Sequence, residues 1–171
     1  MSNNPSDIGE TQTGQSRANP LDVAWLAGII DGEGCFSVAF GGKRRRGVSP
    51  KFYVGNNSMT LMLKAQRIVE EITGRAYLIR ARDQRTNPIV FTMEVARQGS
   101  LIAVIEEILP HLTVKKTQAQ EVLLFCRERV ARRASLGLKR TTYSTYDRGL
   151  LDRLKVLRKA EVTRLVGGVE H

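Results

Sequence analysis

The residues of this chain best placed to do chemistry are two carboxylates, Asp31 and Glu33, alternating with Gly32 and Gly34. They follow an apolar run, Val23 to Ile30, that only Gly28 interrupts. Asn19-Pro20 places an N-cap ahead of a proline suited to the first helical position, and Asp22 falls in the first turn. A helix is therefore expected from here to about Asp31, ended by Gly32 and Gly34. Both acids then stand at a helix C-terminus, where the dipole already concentrates negative charge, and no basic residue follows before Lys43. Oxygen donors held together against their repulsion suit a hard divalent cation, Mg²⁺ above all, completed by water and a substrate phosphate. Asp-Gly-Glu-Gly is equally good turn chemistry, and a solvated turn is its ordinary reading. An EF-hand fits poorly, because Cys35 occupies the third ligand position.

At 100° per residue, Ala24, Ala27, Gly28 and Asp31 share one face of the helix, and Trp25, Leu26, Ile29 and Ile30 share the other. The bulky face is expected to enter the subunit's own core. The small face, Ala24, Ala27, Gly28 and Asp31, suits the close approach of a second helix. Two such helices meeting there would bring four carboxylates together.

Composition narrows the partners. Against 17 acidic residues the chain carries 27 Lys and Arg, a net charge of +10, which suits a polyanion such as nucleic acid better than a membrane surface. No stretch approaches the roughly 20 apolar residues of a membrane helix. Cys35 and Cys126 lack zinc spacing and read as reduced, buried small hydrophobes. Residues 1–18 are polar with one basic residue, Arg17, and read as a disordered tail rather than a secretory or transit segment. The protein is expected to act where it is made: in the cytoplasm or nucleoid, or inside a DNA-containing organelle.

The elements that must position the acids follow from periodicity. Phe36, Val38 and Phe40 alternate with Cys35, Ser37 and Ala39, and Val48, Phe52 and Val54 alternate with Ser49, Lys51 and Tyr53, which predicts an antiparallel strand pair around the basic loop Gly41–Gly47. Thr60–Thr73 has helical spacing, with Gly74 as its cap. A second strand pair is expected at about Arg75–Arg82 and Ile89–Ala96, joined by Asp83–Asn87. Ser100 is expected to cap a helix that Pro110 closes. Gln118–Arg132 and the very basic Asp147–Leu165 read as further helices. This is an α+β chain, α-ββ-α-ββ-α with an added C-terminal helix, whose antiparallel sheet has helices on one face and is open on the other. The divisions are a tail at 1–18, a core domain at 19–132 and a basic helical extension at 133–171. The open face is expected to carry Ser37, Lys51, Tyr53, Arg80, Arg82 and Thr92, with Ser49 on the same parity, a surface suited to β-ribbon readout of a DNA groove.

Leu26-Ala27-Gly28-Ile29-Ile30-Asp31-Gly32-Glu33-Gly34 resembles the motif that names the LAGLIDADG homing endonucleases. Six positions match it, Leu26, Ala27, Gly28, Ile30, Asp31 and Gly34, and Ile29, Gly32 and Glu33 are ordinary variants. The element order and the Lys115–Ala119 segment are similar to the family as well, so that the likeness covers residues 20–132. The resemblance implies a saddle-shaped sheet on double-stranded DNA, motif helices at a subunit interface, and hydrolysis of the phosphodiester backbone with a staggered double-strand cut. By position, Glu33 corresponds to the metal-ligating acid, the Gly32 carbonyl to a further ligand, and Asp31 to the acid that more often supports the helix end, ranked second for metal and catalysis. Lys115 corresponds to a lysine near the cleavage centre, with Lys116 as the alternative occupant. Asn56 corresponds to a water-positioning residue, although Val54–Gly74 is longer than the family pattern. Mn²⁺ is expected to substitute for Mg²⁺, and Ca²⁺ to bind without supporting cleavage.

One motif and no second Gly-x-x-Asp-x-[Asp/Glu]-Gly implies a homodimer and a long pseudo-palindromic site. Lys43, Arg44, Arg45 and Arg46 are expected to grip phosphates, since four adjacent cations cannot all read bases. Arg148, Arg153, Lys155, Arg158 and Lys159 either extend the footprint or merely solvate a helix. The alternatives to a DNA endonuclease are an intron RNA maturase and a non-cleaving DNA-binding regulator of the same fold.

Overall fold

The computed structural model describes residues 18–41, 47–84, 87–137, 149 and 152–157. Helix α1 (Pro20–Glu33) opens as its cap requires, with the Asn19 side chain accepting from the Leu21 N–H at 2.9 Å. It continues through Glu33, two residues past the expected end. The chain then passes directly into β1 (Gly34–Gly41), which pairs antiparallel with β2 (Gly47–Asn56). Gly34 makes this transition possible: a Cβ there would stand 2.6 Å from the Ile30 carbonyl oxygen.

Helix α2 (Met59–Thr73) begins at Ser58, whose hydroxyl accepts from the Leu61 N–H, and ends at Gly74 with φ +64°, a left-handed cap that glycine adopts without steric cost. Strands β3 (Ile79–Gln84) and β4 (Asn87–Val95) follow, then α3 (Gln98–Ile108), a 3-10 turn (Leu109–His111) and α4 (Lys116–Leu136). The four strands form one antiparallel sheet in the order β1-β2-β4-β3.

The expected starts of β3 and α3 need correction. Residues 75–78 do not extend β3, because side chains of α2 take up their backbone: Glu70 accepts from the Tyr77 N–H at 2.9 Å and Gln66 donates to the Tyr77 carbonyl. Ser100 does not cap α3 but lies buried in its first turn, and Arg97 takes the cap position with no side-chain hydrogen bond.

One face of the sheet supplies Phe36, Phe52, Val54, Met93 and Val95 to the core, all fully buried. Leu26 and Ile30 of α1, Met62 and Ile68 of α2, Leu101, Ile105 and Ile108 of α3, and Phe125 of α4 meet them there. The fold is thus α+β, with all the helical core contacts on one side of the sheet. Beyond α4, Leu154 inserts into the same core and Arg153 pairs with Glu121 at 3.0 Å, tying the described part of the C-terminal extension to α4. Cys126 is buried, which pushes its thiol up to about 12, with Arg129 acting weakly in the opposite direction. Cys35, expected in the core, is only half-buried, because it shares the open-face parity of Tyr53, its cross-strand partner.

Candidate functional site

The acidic end of α1 is built by an exchange with α4. Both Asp31 oxygens accept backbone N–H groups: Oδ2 from Thr113 at 2.7 Å and Val114 at 3.2 Å, Oδ1 from Lys115 at 2.8 Å. Asp31 therefore places its negative charge at the N-terminus of α4, where the dipole is positive. In return the Lys115 ammonium donates to the Asp31 carbonyl, one of the last-turn oxygens of α1 that no helical N–H can reach. The missing basic residue at this helix end is thus supplied from 84 positions along the chain. Lys115 is 9% exposed, and Lys116 beside it is exposed.

Glu33 is exposed as the final residue of α1, and Gly32 before it is exposed with nothing within 4 Å of where its Cβ would be. No hydrogen bond among the described residues engages the Glu33 carboxylate or the Gly32 carbonyl. The carboxylate and the backbone carbonyl of two exposed residues are hard oxygen donors, and that donor set fits Mg²⁺ or Ca²⁺ with the remaining positions left to water and phosphate. Asp31 fits less well, since both its oxygens already hold N–H groups. Among the described residues no three His, Cys, Asp or Glu side chains gather in one place. Asn56, at the end of β2, accepts from the Ser58 N–H at 2.9 Å, a local turn leading into α2. It lies at the same end of the sheet as Glu33, because Gly34 pairs with Val54, but its parity is that of core-facing Phe91.

On the open face the register brings the expected residues together. Ser37 pairs with Lys51, Cys35 with Tyr53, Arg80 with Thr92, and Ser49 with Ala39. Arg80 and Arg82 are exposed, Tyr53 is 40% exposed, and Ser37, Ser49 and Thr92 are half-buried. The Thr92 hydroxyl donates to the Arg80 carbonyl at 3.3 Å. Tyr77, Arg80, Arg82, Thr92 and Glu94 line a shallow hollow of about 410 Å³ on this surface. Glu94 is a residue that strand periodicity missed. It stands opposite Tyr53 and binds Lys51 at 2.6 Å, and its spacing of two from Thr92 was the available signal. Lys43, Arg44, Arg45 and Arg46, with Arg148, Arg158 and Lys159, lie outside the described residues.

The outer stripe of α1 differs from its expected composition. Ala27 is fully buried within the core of this chain, so it leaves the small face. Leu21, 80% exposed, joins Ala24, Gly28 and Gly32 on the outer side. A Cβ at Gly28 would meet nothing within 4 Å.

No family model matches the sequence, and no curated protein matches it. Solved structures do. The homing endonuclease I-CvuI, in complex with its target in the presence of 2 mM Ca, has a TM-score of 0.52 at 20% identity, over 81% of this chain and 96% of that one. The LAGLIDADG meganuclease I-AabMI, bound to uncleaved DNA, has a TM-score of 0.53 at 16% identity, over 80% of this chain and 43% of that one. The fold is that of the LAGLIDADG homing endonucleases. The group I intron-encoded homing endonuclease I-CeuI, complexed with DNA, shares it at a TM-score of 0.50 and 15% identity, over 82% of this chain and 69% of that one. Within this LAGLIDADG fold the sequence motif spans the last two turns of α1 and the first residue of β1. Among the described residues no helix is long and apolar enough to cross a membrane.

Proposed function

We propose that this chain is one subunit of a homodimeric, divalent-metal-dependent endonuclease that cuts double-stranded DNA at a long pseudo-palindromic site. The observation that carries the reading is the position of Glu33: an exposed acid at the tip of α1, next to a basic, open sheet face, at a helix end whose Asp31 carbonyl accepts from Lys115. I-CeuI, complexed with DNA, and I-AabMI, bound to uncleaved DNA, support it, as does a further I-CvuI structure that holds the I-CreI target in the presence of 2 mM Mg with the DNA not cleaved.

Glu33 and the Gly32 carbonyl would hold the ion, which when bound supplies Lewis acidity to phosphate oxygens. Glu33 orients that charge toward the backbone while the sheet fixes the duplex. Lys115 would add a cation at the Asp31 carbonyl, two residues before Glu33, opposing the negative charge that builds on phosphorus during in-line displacement. Asn56 would orient a water from the sheet edge. Asp31 acts by holding the helix ends, and Lys116 by touching backbone. The bare stripe Leu21, Ala24 and Gly28 supports pairing of two α1 helices, as does the span of I-AabMI, of which this chain covers under half. Pairing would set two Glu33 side chains over opposite strands.

The deciding experiment uses duplexes carrying the uninterrupted sequence that flanks the gene, with Mg²⁺ or with chelator. Wild type should nick and then cut both strands only with the metal, and Glu33→Gln should bind the duplex nearly as well without cutting, because it removes a ligand charge and no base contact. Binding without cleavage by wild type would replace this reading with a non-cleaving regulator. Preference for intron RNA over duplex would replace it with a maturase.

A further inference from the structure

Glu94 is the one acidic side chain among the described residues of the open face, where its neighbours include Lys51, Arg80 and Arg82. Its carboxylate is half exposed and lies 2.6 Å from the Lys51 ammonium, reached across the β2–β4 pairing. A carboxylate turned toward DNA opposes binding to every sequence through the phosphates. It is favourable only where it meets a donor, and in the major groove the donors are the exocyclic amines of cytosine and adenine. The partner decides between them. Beside the cytosine N4 donor, the paired guanine offers two acceptors, O6 and N7, which is the edge a lysine reads best. The A·T edge instead turns the thymine methyl into the groove, and neither Lys51 nor Glu94 offers an apolar group at its tip.

We propose that Glu94 and Lys51 together read one G·C base pair in each half-site, Glu94 accepting from cytosine N4 and Lys51 donating to guanine. This rests on the open face being the DNA surface. The ion pair holds the acceptor and the donor side by side before DNA arrives, as they must stand on the two bases of one pair. Tyr53, opposite Glu94, flanks the pair on β2.

The test is selection from a pool of random duplexes by the full chain, with circular dichroism to verify that each variant folds. Wild type should enrich G·C at one symmetric pair of positions. Glu94→Gln should lose about tenfold of that preference, Lys51→Met should relax the same positions, and the rest of the enriched sequence should persist. An unchanged profile for Glu94→Gln overturns the proposal, as does A·T at the affected positions. It is overturned too if Glu94→Gln strengthens binding to all duplexes alike with a steeper salt dependence, since Glu94 would then only restrain Lys51. Failure of wild type to enrich any duplex would overturn the DNA-surface reading itself, a separate outcome.

Discussion

Asp31 stands two residues from the proposed metal ligand, yet its geometry is that of a cap: three N–H groups of residues 113–115 converge on it. Hydrogen bonds to a charged acceptor are stronger than neutral ones, and although Thr113 and Val114 are exposed, the third donor belongs to buried Lys115. Asp31→Ala should therefore lower the unfolding free energy by about 1–3 kcal/mol, and Asp31→Asn, which keeps one acceptor, by less. Urea titrations would measure both, and an unchanged midpoint for the alanine variant would remove the capping role. Glu33 forms no such bonds among the described residues, so Glu33→Gln should leave the same midpoint in place while cleavage is lost. The contrast separates two acids that look alike in the sequence.

Among the elements, α1 has the most to do, since one side builds the core and the other is bare. Gly28 faces open space in the monomer, and leucine has the higher helix propensity by about 1 kcal/mol. Gly28→Leu should thus leave each subunit folded, or slightly more stable, while a bulky side chain at the closest helix approach separates the dimer. Sedimentation velocity would show the wild-type dimer and the variant monomer; a wild type monomeric both free and on DNA would end the dimer proposal. The same helix is moored to α2 through Asp22, which meets Arg67 at 2.9 Å and Lys64 at 3.2 Å, while the Lys64 ammonium also lies 4.4 Å from the Trp25 ring. Hydrogen bonds from Arg67 and then Lys64 hold the Asp22 carboxyl below its ordinary 3.8. A lowered carboxylate pKa means that the unfolded state takes up the proton first, so this contribution is complete above pH 3.8 and is lost as pH falls through the folded value. Asp22→Asn should be less stable than wild type at pH 7, and the gap should close as pH falls below 3.8 and through the lowered value of the folded carboxyl. Parallel stability curves for the two proteins would exclude the linkage.

For the whole molecule, the sheet and the basic segment Lys43 to Arg46 should divide their labour. Arg80→Ala or Arg82→Ala should cost roughly 1–3 kcal/mol at one symmetric pair of positions and relax preference there. Replacing any of Lys43 to Arg46 should weaken all sequences alike and lower the slope of log affinity against log salt by about 0.9 per lost contact in each subunit. Titrations at several salt concentrations on single-position site variants distinguish these patterns. Arginine variants that change only the salt slope would show that β3 grips backbone.

What the sequence determined by itself was local or periodic. Asn19-Pro20 started α1, Gly74 ended α2, and alternation over Phe36–Val54 gave both the strand pair and its open face, because capping and parity depend on near neighbours along the chain. The net charge pointed to a polyanion, and the motif residues marked the acidic helix end. The tertiary structure decided what those residues touch. Only packing could show that Ala27 is enclosed in the core while Leu21 is not, since α1 carries apolar side chains on most of its surface. Only packing could pair Lys51 with Glu94, two strands that meet through an intervening helix and hairpin. The exchange between Asp31 and Lys115 links backbone groups to side chains 84 positions apart. No pattern along the chain encodes such a contact, because it exists only once α3 has returned the chain to the end of α1.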